Sequence, residues 1–399
     1  MANVSSSNGL EKRPRLAFRR TDGSNFPRWS RTSLSSIIEP YSEKVYGEHK
    51  YEVLTSSREG LQRQVDHFGT KQRHDTDGYN IIPIGYCTYR NRSDDGRFTF
   101  NINTISSNAI VSKFYPVFRF TNANSLFMSE FLNSSSRAKK KLSVLAVGTS
   151  QVVLSFEALK AAKFDLPCKD EQDKIASFFE CLNRRIEYQR TLVDALKKYK
   201  RGVNKQLLSQ IDNSCNCRLG SVCEIVGGGT PDTLHTEYWG STVEWFTPSE
   251  IGRTKYVSSS VRKLSDIGLN NSSAKLLPIG TVLLTTRATL GEMSIAKREC
   301  CTNQGFQSLI PHQDRALSEY LYYMQIIIKP WCEKYASGNT FREISKSALS
   351  NCIIPLPDRA RQEEIVKLLS SIDTLISAEE GIAMSLSKMR HSLMQQLFI

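Results

Sequence analysis

The chain repeats itself. At a fixed spacing of 190 residues, Leu166-Pro167 recurs as Leu356-Pro357, Gln172 as Gln362, Ile175 as Ile365, Leu196 as Leu386, Lys198 as Lys388 and Gln206-Leu207 as Gln396-Leu397, and no gap is needed. A repeat of this kind fixes boundaries that local propensity cannot. Each copy opens on a proline and a polar turn, then runs for about forty residues without another proline, its apolar side chains alternating in steps of three and four, the pattern of a long amphipathic helix.

The seam of the first copy reads Ile175, Phe179, Leu182, Ile186, Gln189, Val193, Leu196, Lys200, Val203, Leu207; that of the second reads Ile365, Leu369, Ile372, Ile376, Glu379, Ala383, Leu386, Arg390, Leu393, Leu397. A 3.5-residue period favours a coiled-coil partner over packing on a globular core, and forty residues at about 1.5 Å each make a rod of roughly 60 Å. Both seams break at equivalent places, Gln189 with Glu379 and Lys200 with Arg390. An antiparallel register that sets Lys200 against Glu379 also sets Gln189 against Arg390, and buried polar layers of this kind specify register. The alternative is two independent helices, each capping a neighbouring domain.

Two segments of similar size, 14–164 and 213–354, precede the helices. Short β-branched or aromatic runs, such as 279–286 and 114–120, alternate there with Gly, Ser, Asn and Asp turns, which predicts small mixed sheets. Each segment ends in a predicted helix, 124–132 and 316–335, followed by Val147-Gly148-Thr149 or Ser337-Gly338-Asn339 at the 190-residue offset. The expected fold is α+β: two α/β domains separated by two long helices in an antiparallel coiled coil, with pseudo-twofold internal symmetry. The expected boundaries are a flexible tail over 1–13, a first domain over 14–164, a first helix over 165–212, a second domain over 213–354 and a second helix over 355–399.

Composition narrows the function. A chain of 399 residues is too long for one ordinary domain. No apolar run is long enough to span a membrane, and the first residues lack the apolar core of a secretory signal, so a cytoplasmic location is expected. Of the ten cysteines, Cys215 and Cys217 are two apart and Cys300 and Cys301 adjacent, a spacing that suits no zinc site, and the histidines do not cluster with them. The net charge of +13 is concentrated: residues 1–164 carry 24 basic and 14 acidic side chains. Such a surplus suits a polyanion, since each neutralised phosphate releases counterions, although a soluble basic protein carries one too. There is no G-x-x-x-x-G-K-[ST] loop, no G-x-G-x-x-G after a strand and no segment that would build a base-flipping methyltransferase pocket.

Several segments carry a family resemblance. They are Arg13-Pro-Arg-Leu-Ala-Phe18 with Phe26-Pro-Arg-Trp29, and Ser56-Ser-Arg-Glu-Gly-Leu61 with Gln64 and Phe68. In the second half they are Gly227-Gly-Gly-Thr-Pro231, Glu237-Tyr-Trp-Gly240, Gly280-Thr-Val-Leu-Leu-Thr-Thr-Arg287, Gly291 and Asn303-Gln-Gly-Phe306. Pro355-Leu-Pro-Asp-Arg-Ala-Arg-Gln-Glu-Glu-Ile365 completes the set. In their order and repetition they resemble the DNA-specificity subunit of type I restriction-modification systems across nearly the whole chain. Asn91-Arg-Ser-Asp-Asp-Gly96 departs from the pattern, standing where a more glycine-rich turn is expected.

The resemblance implies a chain without catalytic activity, whose two target-recognition domains each read one half of a bipartite double-stranded DNA target. The helices serve as spacer. Two modification subunits would methylate adenine from S-adenosylmethionine, and restriction subunits would use ATP and magnesium; no cofactor is expected in this chain. Three other readings stay open: a coiled-coil scaffold for protein partners, a fused restriction-modification enzyme, and a silent, recombining specificity copy.

Loops and strand ends supply the DNA candidates, because Arg can bridge guanine, Asn or Gln adenine, and Ser or Thr either base or phosphate. In the first domain these are Ser57, Arg58, Gln64, Arg90 and Arg92, with Lys139, Lys140 and Lys141 as a phosphate clamp that could equally be a solvated face. In the second they are Thr230, Thr285, Thr286, Arg287 and Gln304. Arg287 has a competing role as the partner of Glu292 across a hairpin, and the glycines from Gly227 onward fit either a phosphate approach or a tight turn.

Overall fold

The computed structural model describes residues 16–69, 75–287, 289–338 and 342–398. The expected tail over 1–13, the first three residues of the opening segment (13–15) and Asn339 lie outside them. Two long helices dominate, Lys169–Ser209 and Arg359–Leu397. Asp170 and Glu171 in the first turn of the former complement the helix dipole. Asp358 starts the latter, its carboxylate accepting from the Arg361 amide at 2.8 Å. No helix among the described residues is long and apolar enough to cross a membrane.

The chain packs as two compact units. One holds the described residues up to Gln189 and those from Ile382 onward; the other is Arg190–Gly381. The division falls inside both long helices rather than at their ends, because each half-helix spends its seam on the core of its own unit.

In the first unit a four-stranded antiparallel sheet runs in the order Ile38–Tyr41, Val117–Phe120, Cys87–Tyr89, Phe100–Ile102. A second sheet runs Gly60–Arg63, Glu52–Ser57, Ala109–Val111, Asn80–Ile81, with its middle pair parallel. Asn80–Ile81 and Cys87–Tyr89 are separate strands; Pro83 between them cannot donate to a ladder. Helices Ser125–Ser134 and Ser136–Leu145 follow, capped by Asn124 and Ser135. Tyr89, Phe100, Phe118 and Phe127 share one core with Ile175 and Phe179 of the first long helix and Met394, Leu397 and Phe398 at the end of the second.

In the second unit a five-stranded sheet runs Cys223–Gly227, Gln307–Pro311, Val282–Leu284, Met293–Ala296, Tyr256–Val257, beside a four-stranded one of Trp239–Gly240, Arg262–Leu264, Val243–Phe246 and Cys300–Thr302. The helix expected over 316–335 is two, Ser318–Tyr323 and Gln325–Tyr335, separated at Met324. Tyr320, Leu321 and Ile328 are buried with Ile365, Leu369, Ile372 and Ile376, and Leu196, Val203 and Leu207 pack against them. In both units, then, the early half of one long helix meets the late half of the other, which is antiparallel pairing.

Of the remaining seam positions, Leu182 and Leu393 pack against the first core, and Ile186, Gln189 and Val193 are buried. Glu379, Ala383, Leu386 and Arg390 are only half-covered.

The register differs from the expected one. The Lys200 ammonium meets Asp373, not Glu379, at 2.5 Å, and Lys197 meets Glu380 at 2.6 Å. Arg390 meets the Asn183 side chain at 2.6 Å and the Glu130 carboxylate at 2.5 Å, not Gln189. The long cationic stems lie along the apolar seam and carry their charges to polar groups at its edge. Asn183 and Asp373 are themselves 190 residues apart, so the two pairings are copies of one arrangement.

Two stability outcomes are expected. Lys200→Met and Asp373→Asn, measured singly and together by chemical denaturation, should show a coupling of about 1–3 kcal/mol; additivity would reject the pair. Phe398, buried against Phe127 and Phe131 at centroid distances of 5.8 and 5.5 Å, should cost about 3–5 kcal/mol when cut to alanine.

Candidate nucleic-acid interface

In the first unit the strands Glu52–Ser57 and Gly60–Arg63 form a hairpin that pairs Ser57 with Gly60 and leaves Arg58 and Glu59 as its turn. Gly60 has φ +123°, a conformation that other residues avoid. The Ser57 hydroxyl donates to the Gly60 carbonyl at 3.0 Å. Asn101, in the neighbouring sheet, donates its side-chain amide to Ser56 Oγ at 2.8 Å and to the Ser57 carbonyl at 2.9 Å, which fastens the hairpin base.

Facing this turn is the loop 91–97. Ser93 donates its hydroxyl to Asp95 Oδ1 at 2.9 Å, and the Arg97 amide donates to the same oxygen at 3.2 Å. Asp95 Oδ2 accepts from Arg58 at 2.7 Å and lies 3.8 Å from the Arg97 guanidinium. These hydrogen bonds, that of Ser93 foremost, hold the Asp95 carboxyl below its ordinary pKa. The hairpin turn and the loop are thereby joined by one carboxylate.

The structure brings four predicted residues together. Ser57, Arg58, Arg90 and Arg92 line one concavity of about 100 Å³, with Ser56, Ser93, Asp94, Arg97 and Thr99 completing it. Arg92 lies over the Phe114 ring at 5.5 Å. A larger cleft of about 790 Å³ opens on the other side of Arg58 and Arg97 and reaches Lys139 and Asn133. The three lysines diverge, as successive positions on a helix must. Lys139 lines the cleft, Lys140 is exposed outside it, and Lys141 donates to the Lys163 carbonyl at 2.7 Å. Gln64, half-buried at the start of helix Gln64–Phe68, lines neither.

Sequence reasoning missed Arg97 and Asp95. The available signal was the charge density of Asn91-Arg-Ser-Asp-Asp-Gly-Arg97, with two cations and two carboxylates in one short loop.

The second unit corrects several expectations. Thr285 and Thr286 are wholly buried and cannot face a duplex. The strand before them is covered on both sides, Val282 and Leu284 in one core and Leu283 in another, so its polar end lies inside. Thr285 Oγ1 accepts from the Glu292 amide at 3.0 Å, and the Thr286 amide donates to Gly305 O at 2.8 Å. Arg287 does not pair with Glu292; it meets Glu343 at 2.8 Å, while Glu292 holds Lys329 at 2.5 Å.

Gly228 and Gly229 owe their identity to crowding rather than to a phosphate approach. A Cβ on Gly228 would stand 2.0 Å from the Asn303 carbonyl, and one on Gly229 2.4 Å from the Ser273 backbone. The Gly229 amide is committed to the Thr302 carbonyl at 2.9 Å. Beyond it, the Thr230 hydroxyl meets the Gln304 side chain. Through Gly305 this polar pair adjoins the backbone leading to Arg287. An exposed Arg262, not anticipated, lies 3.4 Å over the Trp239 ring.

Comparison with known proteins places this geometry. The profile of the type I restriction modification DNA specificity domain matches residues 38–198 and again 212–388. The MjaIX type I restriction enzyme specificity subunit of Methanocaldococcus jannaschii is 34% identical over 186 residues, which is 46% of this chain and 43% of that one. A type I restriction enzyme specificity subunit of Escherichia coli is 27% identical over 239 residues, 55% of this chain and 58% of that one. The chain thus spans about half the length of these curated relatives. The crystal structure of a type I restriction-modification S subunit from M. genitalium shares the fold at a TM-score of 0.54 and 15% identity, covering 97% of this chain and 99% of that one. A chain from a structural study of type I complex assembly and conformational transition does so at 0.59 and 19%, covering 94% and 98%. With two matched domains that together take up most of its length, the chain belongs to the type I restriction-modification DNA specificity family.

Proposed function

We propose that this chain is the non-catalytic specificity subunit of a type I restriction-modification complex in the cytoplasm, and that each unit reads one half of a bipartite double-stranded DNA target. The observation that carries this reading is the pairing of two specificity domains with one antiparallel helix pair. Two half-sites on one duplex must keep a set distance and helical phase, and in this proposal the long helices serve as the spacer. The first unit adds the arginine-lined concavity and lies in the part of the chain that carries the positive surplus.

Partner subunits supply the chemistry in this proposal. Two modification subunits transfer a methyl group from S-adenosylmethionine to adenine, and restriction subunits use ATP and magnesium to translocate and cut. The second long helix offers them exposed apolar side chains in each unit: Leu368 and Leu375 in the second, Ile382 and Met389 in the first, each pair seven residues apart and each residue exposed by 43–47%. Apolar pairs at heptad spacing outside the paired seam suit a further helix. On the first helix the 190-residue equivalents include exposed Phe178 and Tyr199.

A methylome comparison of cells that carry this chain with its modification subunit against cells lacking this chain alone tests the reading. The expected result is a split adenine-methylated motif that disappears on deletion. An unchanged methylome, or methyl transfer or cleavage by the purified chain alone, would count against it.

A further inference from the structure

We propose that the concavity between the hairpin turn 57–60 and the loop 91–97 holds one DNA backbone phosphate, and that Asp95 is the positioning residue that sets Arg58 for it. This rests on the DNA-binding reading above and assigns the site to backbone anchoring rather than to base recognition.

The lining decides between those roles. Four guanidinium-bearing side chains, Arg58, Arg90, Arg92 and Arg97, surround about 100 Å³ together with serine and threonine hydroxyls. The guanidinium groups are hydrogen-bond donors suited to phosphate oxygens, while the Ser57 and Ser93 hydroxyls are already given to Gly60 and Asp95. No aromatic or aliphatic side chain lines the space, so nothing there would stack on a base or meet a thymine methyl, and no Asn or Gln is present to bridge adenine. One carboxylate, Asp94, lines the space as well, its Oδ1 accepting from the Gln151 side chain at 2.9 Å, and Asp95 beside it is bound to Arg58.

Asp95 is itself fixed by Ser93 and the Arg97 amide. The Arg58 side chain is 68% exposed, so without that anchor it would sample many rotamers before meeting a phosphate. Arg92 is held in turn over Phe114. Two arginines are thus oriented before DNA arrives.

The test uses the full chain assembled with its modification subunits, titrated by fluorescence anisotropy onto a duplex bearing the methylated motif and onto a scrambled duplex, across a salt series. Arg92→Gln should weaken both by about five- to tenfold, leave their ratio unchanged and lower the salt slope by about one. Arg92→Lys should stay close to the parent, because a phosphate accepts a point charge where a guanine edge demands the bidentate fork. A collapse of the affinity ratio, a Lys variant as weak as Gln, or an unchanged salt slope would each overturn the assignment. Asp95→Asn should weaken both duplexes, Asp95→Glu should restore them, and Asp95→Asn should add nothing to Arg58→Gln; additive losses would remove the positioning role. An unaltered complex that binds neither duplex would overturn the DNA reading itself, and the site with it.

Discussion

One buried glutamine in each repeat joins the three parts of its unit. Gln172 accepts from the Asn124 amide at 2.9 Å and donates to the Pro167 carbonyl at 2.9 Å; Gln362 accepts from the Leu317 amide at 3.1 Å and donates to the Pro357 carbonyl at 3.0 Å. Each side chain sits in the first turn of a long helix, ties back the proline turn that starts that helix, and satisfies the amide at the head of the domain helix. Both are almost wholly buried, at 4% and 1% exposure, where an unmet amide costs about 1–3 kcal/mol. An apolar residue would leave two backbone groups unpaired, and a carboxylate could accept but not donate. The side chain that satisfies both is an amide long enough to span them, which accounts for its recurrence at the 190-residue spacing.

The second tie between domain and helices is electrostatic, and the two copies solve it differently. In the first unit Arg390 bridges Asn183 of the facing helix and Glu130 of the domain. In the second the carboxylate has moved onto the helix as Asp373, which meets Lys200 on one oxygen and the Tyr323 hydroxyl, at 2.7 Å, on the other. Lys255 joins them, donating to Tyr323 at 3.0 Å and to Ser370 at 2.9 Å. Burial holds the Lys255 ammonium below its ordinary pKa, while the charge of Asp373 opposes that shift. Removing one member of such a network costs more than its own hydrogen bond, because the remaining charges stay desolvated. Each domain is thus seated on its half-helices by a cation at the seam edge, whichever element supplies the anion.

The long helices were legible because a seam sustained over forty residues is a strong signal and was present twice. Their register was not, because it was sought between seam positions, whereas Lys200 and Arg390 reach partners beside the seam. Arg58, Arg90 and Arg92 were found as loop cations, but nothing local showed that a turn at 58 and a loop at 91–97 face each other; that follows from the packing of separate sheets, where Asn101 holds Ser56 and Ser57. Thr285 and Thr286 failed for the opposite reason. A polar pair at a strand end looks exposed, and only the cores on both faces of Val282–Leu284 reveal that it is not.

Both units carry paired cations, Arg31, Arg63 and Arg119 among those of the first, but at the candidate interface residues the pairing differs. In the second, Arg287, Lys329 and Lys263 are engaged by Glu343, Glu292 and Glu244, and Arg262 lies on Trp239. In the first, Arg90, Arg92 and Lys139 have no carboxylate partner among the described residues, and Arg58 shares its own with Arg97. Free cations convert to affinity through counterion release, which is steep in salt and indifferent to sequence; paired cations contribute little to it. On the proposed function, the positive surplus of residues 1–164 gives the first unit the larger share of backbone anchoring. The second is left to depend more on neutral polar groups such as the Thr230 and Gln304 pair, whose contribution is directional and only weakly screened.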